Sequence, residues 1–457
     1  MLKRGLLTLL VLLLTICLCA GTLLGAGWVL TPAVVKTAAP QGTAPAAESA
    51  LPAAVTSPQI SADVARQMDL IQTQVSAMRG LTLQYPFSRD TLTPDQLRQK
   101  VKDNFLKSYT PQLAADDVLL YSTLGLIKPK TDIVTLFENL YSEQIAGFYD
   151  PETKQMYVVQ GTGFNGLERM TYAHEFTHTL QDQHYDLRGH LKITDEYCHT
   201  HAEYCSAVTA LVEGDAVSAE QDWFYSDGSK QDHSQVQDFY LHYSSPVYDS
   251  SPDFIKDDLL FPYQKGYEFV QTLYDRGGWR AVNQALEDPP VSTAQILHPE
   301  LYPQSKPETV TLPDLASSLG PGWRQAAQGT LGEWYTYLVL ARGWQNTMRL
   351  PEALGQQAAA GWAGDSYALY QKTGDPTSRV LVVEWKWASL ADADQFWSAL
   401  STLCKERWGA PLKESALELK WAPANQEAVA IQYTNQGTRW IIASDQSAFD
   451  QARSAFK

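Results

Sequence analysis

Positive charge is in short supply in this chain. It carries 35 Lys and Arg against 51 Asp and Glu over 457 residues, a formal net charge of −16. No basic cluster reverses that balance locally, which argues against a nucleic-acid partner and against docking on anionic lipid through charge. Cysteine is scarcer, with five residues. Cys17 and Cys19 follow the bulky Ile16 and Leu18, a poor fit to lipoprotein processing. Cys198 and Cys205 lie close together, and Cys404 has no obvious partner in the sequence. Histidine is also sparse, at nine residues, so any regular spacing among them is informative. What remains is ordinary for globular chains: 44% apolar and 19% charged residues, with length enough for about three domains, each able to bury a core.

The N-terminus departs from that average. After Met1-Leu-Lys-Arg4, an uncharged apolar run extends from Gly5 to about Leu30. It exceeds the roughly 7–15 residues of a signal-peptide core and is long enough to cross a bilayer. Lys3 and Arg4 are expected to stay cytoplasmic, which exports everything after Leu30. Small residues at Ala20, Gly21, Gly25 and Ala26 offer the alternative of a cleaved signal. The run's length favours an uncleaved signal-anchor over 1–31, hence a single-pass membrane protein with its bulk outside the cytoplasm. Residues 32–60 are rich in Ala, Pro and Thr and cannot bury a core, so they read as a linker.

From 61 the pattern is mainly helical, and a first domain is expected over 61–355. Ile60–Met78 has helical spacing, and Thr93-Pro-Asp-Gln96 is a capped helix start. Gln144–Tyr149 and Gln155–Val159 read as a hairpin around the turn Asp150-Pro-Glu-Thr-Lys154. Residues 227–350 read as helical, with one helix starting at Pro262. From 356 to 457, strand-like runs at Tyr367–Tyr370, Val380–Trp385, Ala416–Trp421, Ala428–Tyr433 and Arg439–Ala443 are accompanied by two helices. This predicts a small accessory α+β domain, and the fold class as a whole is α+β.

The residues that carry chemistry are His174-Glu175-Phe176-Thr177-His178, an HExxH pattern that nine histidines would form by chance on the order of one time in a hundred. Leu167, Met170, Ala173, Phe176 and Leu180 mark a buried helical stripe, with the histidines on a neighbouring face. Residues four apart on a helix share a face, so both rings can reach one metal ion, while Glu175 is placed to take a proton from a water there. This donor pattern suits Zn²⁺. The plainer reading is an amphipathic helix with two surface or core-edge histidines.

A catalytic zinc site needs a third protein ligand and an open position. Three candidates follow. His184 would extend the pattern toward the metzincin type, but that type turns on a Gly where this chain has Gln181. Glu213, in Ala210-Leu-Val-Glu-Gly-Asp-Ala216, can be presented from a second helix. Gly214 beside it costs about 1 kcal/mol in a helix and calls for a reason, such as close approach of two helices at the metal. The plainer reading of Glu213 is a solvent-facing side chain. The stretch Cys198-His-Thr-His-Ala-Glu-Tyr-Cys205 can form a metal knuckle or, in an exported protein, a disulfide; the second requires that it not be a straight helix.

The HExxH helix followed by Ala210–Ala216 resembles the gluzincin metallopeptidases, whose third zinc ligand is a Glu on a second helix. Further stretches, Glu143–Asp150, His178–His184, Pro290–Pro299 and Gly361–Asp365, are similar to a family of largely uncharacterised exported bacterial HExxH proteins. The resemblance implies a zincin-like metallopeptidase core with His174, His178 and Glu213 on Zn²⁺ and Glu175 as general base. Where many gluzincins carry an Asp four residues after the ligand Glu, this chain has Val217, leaving Asp215 or Asp182 to orient a histidine.

The expected function is therefore a membrane-anchored, extracytoplasmic zinc peptidase acting on a peptide or protein substrate. Neutral imidazoles are required as ligands, so activity should fall at acid pH. An oxyanion donor is also needed; His298 is the first candidate, with Tyr263 and Tyr302 behind it. The rival is a non-catalytic, surface-tethered binding or scaffold protein that retains the zinc helix.

Overall fold

The computed structural model describes residues 54–105, 108–159, 163–422, 427–435 and 437–456. The expected signal-anchor over 1–31, and the linker as far as residue 53, lie outside the described residues. Among the described residues, no helix is long and apolar enough to cross a membrane.

The end of the expected linker is not spacer. Val55–Thr56 (β1) pairs in parallel with Ser88–Leu92 (β2), and Ile60 is buried against Met68 and Ile71. β2 pairs in parallel with Gln155–Val159 (β4), which pairs antiparallel with Gly147–Asp150 (β3). The predicted hairpin is present, but it belongs to a mixed four-stranded sheet of order β1-β2-β4-β3, with β3 outermost. Helices pack around this sheet. The first, Ala62–Arg79, starts where the Ser61 hydroxyl accepts from Val64 N–H and stops at Gly80, whose φ of 69° is left-handed. Thr93 and Gln96 form the predicted capping box.

The second sheet is antiparallel throughout, with order β5-β6-β7-β11-β10-β9-β8. Its strands are Trp323–Gly329 (β5), Trp362–Lys372 (β6), Asp375–Trp387 (β7), Lys413–Ser415 (β8), Glu418–Trp421 (β9), Ala428–Thr434 (β10) and Gly437–Ala443 (β11). Side chains alternate across it. Leu369, Leu381, Val383, Trp385, Trp440 and Ile442 join the same core as the upstream helices, whereas Ala368, Val380, Val382, Ala430 and Ile441 pack under Phe449 of the C-terminal helix. Both faces are thus buried, which is why these strands read as apolar runs.

Two expectations are corrected here. β5 lies in a stretch read as helical, and it pairs with β6 across the expected start at 356. The core likewise runs without a break from the helical region onto the sheet, where Trp385 Nε1 donates to Thr336 on helix Gly332–Ala341 at 3.0 Å. Pro262 does not begin a helix but sits inside Asp253–Gly277. Its ring removes one backbone donor without ending a helix that is packed along its length.

Candidate metal centre

The HExxH residues lie on helix Gly166–Tyr185, begun by a capping box in which Asn165 accepts from Leu167 N–H and Glu168 accepts from Asn165 N–H. Sequence periodicity marks one buried stripe, but this helix is buried all round: Thr171, Thr177, Thr179, Gln181 and Asp182 are enclosed with the apolar residues. His174 is 0% exposed and His178 1%, which removes the surface-histidine reading.

Helix Ala202–Ser226 supplies Glu213, also 0% exposed, so the solvent-facing reading fails as well. The two helices run antiparallel where they meet. His174 Nε2 lies 3.1 Å and His178 Nε2 3.4 Å from the same oxygen, Glu213 Oε2. One ligand atom from each of these three residues falls within 4.8 Å of the others, a group able to hold a metal ion.

The outer hydrogen bonds fix how the rings present themselves. The Gln181 amide donates to Val212 O at 2.9 Å and to Asp215 Oδ2 at 2.8 Å, so its oxygen faces His178 Nδ1 at 2.8 Å. Nδ1 must then be the donor, which leaves Nε2 with a bare lone pair aimed at Glu213. His174 Nδ1 donates to Glu220 Oε2 at 2.8 Å and likewise turns Nε2 inward. His178 Nε2 and Glu213 Oε1 are buried with no hydrogen-bond partner among the described residues. Two ring nitrogens facing one carboxylate oxygen at this distance can share a bound cation or a proton. Burial alone would lower the His174 pKa, but its hydrogen bonds to Glu213 and Glu220 push it up to about 10. Burial would raise the Glu213 carboxyl, yet the His178 and His174 rings hold it below its ordinary value. The site stabilises positive charge, and two imidazoles with a carboxylate are a donor set that fits a divalent transition metal.

The ring-orienting roles of Glu220 and Gln181 are not among the readings the sequence supports. Glu220 lies seven residues, two helical turns, beyond Glu213 on the same buried face, and that spacing was the available signal. Of the two residues expected to orient a histidine, Asp215 acts one step further out, through Gln181. Asp182 instead accepts from Tyr149 at 2.7 Å and from Lys154 at 2.6 Å, fastening the hairpin to the helix.

The remaining candidates separate. His184 stays on the same straight helix and faces Gln84 and Thr82 O, so it is not a ligand. Cys198 and Cys205 form a disulfide with Cα atoms 5.5 Å apart, because helix Asp195–Cys198 ends before Ala202 starts the next one. Cys404 is a buried free thiol. His298 pairs with Glu333 at 2.7 Å, which raises its pKa, and Tyr302 donates to Asp288 O. Tyr263, 1% exposed, lies with its ring centroid 6.4 Å from that of His174. β3 runs past Glu175, where a β-carbon on Gly147 would sit 2.7 Å from Thr171 Cγ2 and 3.4 Å from Glu175 Cγ. Gly214 does serve a close approach, but not to the HExxH helix: its β-carbon would fall 2.2 Å from Gly266 C and O on helix Asp253–Gly277.

A family model described as a domain of unknown function (DUF8575) matches residues 320–453. The match spans the seven-stranded sheet. It leaves His174, His178 and Glu213 outside. No curated protein and no solved structure matches the chain.

Proposed function

We propose that this protein is a zinc-dependent peptidase of gluzincin-like type, with a zincin-like core, working outside the cytoplasm on a peptide or protein substrate and tethered by its N-terminal apolar segment. The observation that carries the reading is the convergence of His174, His178 and Glu213 within 4.8 Å, with Glu175 next to His174 on the same helix. Two inward-turned imidazoles and one carboxylate suit zinc and leave a coordination position for water, whereas structural zinc sites are closed by four protein ligands.

When bound, zinc supplies Lewis acidity and lowers the pKa of its water to about 7. Glu175 takes the proton of the attacking water and returns it to the leaving amine. Glu220 and Gln181 hold the two rings in the tautomer that ligation needs. β3 lies against Glu175 and so borders the position a bound peptide would take. Of the three donors considered for the oxyanion, Tyr263 has its ring against a ligand ring, while His298 and Tyr302 are engaged with Glu333 and Asp288 O.

One observation favours the second reading, a non-catalytic tethered scaffold or binding protein. His174, Glu175, His178 and Glu213 are all 0–1% exposed, so a scissile bond reaches them only if the surrounding elements part. Comparing wild type with Glu175→Gln for zinc content and for cleavage of an unfolded protein separates the two. Equal zinc with cleavage lost supports the peptidase; zinc in both and cleavage by neither supports the scaffold.

A further inference from the structure

A buried chain of polar contacts runs outward from His178 and ends on a different part of the fold. Beyond Gln181 stands Asp215, and beyond Asp215 stands Arg79, the last residue of helix Ala62–Arg79. Arg79 Nε donates to Asp215 Oδ1 at 2.7 Å and Nη2 to Oδ2 at 3.1 Å. The guanidinium lies over the Trp279 ring, 4.4 Å from its centroid. Arg79, Asp215 and Gln181 are all 0% exposed.

We infer that Arg79 is a positioning residue for the metal site, acting on His178 through Asp215 and Gln181. Each link constrains the next. The two-pronged contact with Arg79 fixes the plane of the Asp215 carboxylate and neutralises a charge that would be very costly buried alone. The fixed carboxylate, with Val212 O, takes both amide hydrogens of Gln181, so the amide cannot flip. A flipped amide would point N–H at His178 Nδ1, drive the proton to Nε2 and remove the lone pair the metal needs. Helix Ala62–Arg79 contributes no ligand, yet in this account it determines whether one ring is ready to bind. Of the charged groups nearby, Glu213 and Glu175 also face His178, Glu220 serves His174 and Lys154 serves Asp182.

The inference rests on the metal reading of His174, His178 and Glu213, so the test begins with that reading. Zinc affinity of the folded wild-type protein is measured by competition with a chromogenic chelator. Absence of saturable binding overturns the metal reading and this inference with it. Given binding, Gln181→Leu and Arg79→Gln should each weaken zinc affinity by about 10–100-fold, as loss of an orienting partner does. Arg79→Lys, which keeps the charge but loses one prong of the contact, should recover only part of it. The double variant Arg79→Gln with Gln181→Leu should be no weaker than the weaker single, because both cut one chain. If Arg79→Gln does not fold, Arg79→Lys and Gln181→Leu carry the test. Wild-type zinc affinity in Gln181→Leu, or additive losses in the double variant, overturns the inference while leaving the metal reading intact. A fall in thermal stability with unchanged affinity also overturns it, by making the Arg79–Asp215 pair a structural brace only.

Discussion

Gly214→Ala sets two effects of opposite sign against each other at the metal site. Helix propensity alone favours the change: Ala replaces Gly in the interior of helix Ala202–Ser226, a gain of about 1 kcal/mol. Packing opposes it. The new β-carbon would fall 2.2 Å from Gly266 C and O and 2.7 Å from Tyr267 N, all backbone atoms. Contacts of this kind settle at about 3.5–4.0 Å, so the helices must separate by more than about 1 Å. No rotamer relieves this, because the obstacle is main chain. Nor is there slack opposite, since Gly266 is itself pressed so close that its own β-carbon would lie 1.9 Å from Ala210 O. Overpacking of a tight core costs about 1–3 kcal/mol, and backbone against backbone belongs at the upper end. The net expectation is a loss of about 2 kcal/mol, visible as a drop of about 2 °C in Tm for a chain of this size.

The same variant should also lose metal affinity, because Glu213 is the adjacent residue and a site displaced by about 1 Å binds poorly. Thermal unfolding followed by circular dichroism, with chelator competition on the same samples, reads both effects. A Gly214→Ala protein more stable than wild type, with zinc affinity unchanged, would refute the packing argument and leave propensity as the whole account.

Other perturbations act on single links. Glu220→Gln keeps an acceptor for His174 Nδ1 but removes the charge, and should weaken zinc by about tenfold, the low end of such losses; affinity equal to wild type would deny Glu220 its role. Burial pushes Glu203, which accepts from Thr293 N–H and hydroxyl, up to about 8. The folded state then holds a proton the unfolded chain releases near its ordinary 4.5, so this stability is complete below that value and is lost as pH rises through about 8. Glu203→Gln should flatten the fall in Tm over that interval, and an unaltered slope would count against it. Replacing Cys198 and Cys205 by Ser opens a short loop at the start of the Glu213 helix, with an expected cost of about 2–3 kcal/mol in denaturant unfolding; a cost near zero would show the turn to be held by packing alone.

The parts of the fold legible in the sequence are those set by one element's own period. The spacing of His174 and His178, the capping box at Thr93, and the turn between β3 and β4 each follow from neighbouring residues. What escaped is set by pairing between distant segments. β5, Trp-Arg-Gln-Ala-Ala-Gln-Gly, has no β-branched residue and becomes a strand because β6 lies beside it and Arg324 reaches Asp116 and Gln371. Pro262 reads as a boundary by its local rule, and packing along helix Asp253–Gly277 overrides that rule.

Gln181 shows how a local reading and a non-local one meet at a single residue. A third histidine ligand at His184 would need the backbone to turn three residues after His178, and Gln in place of Gly disfavours that turn. The helix therefore runs on to Tyr185, and His184 is carried round to Thr82 and Gln84. With no further ligand on its own helix, the ring pair is completed by another one, and Glu213 arrives on the antiparallel neighbour. That neighbour also brings Val212 O and Asp215 to the Gln181 amide, so the side chain that blocks one ligand geometry orients a ring for the other. The absence of glycine at 181 and the presence of a carboxylate at 213 are therefore two statements of the same constraint, and a chain with Gln181→Gly should not recover His184 as a ligand, because Glu213 already lies between the rings.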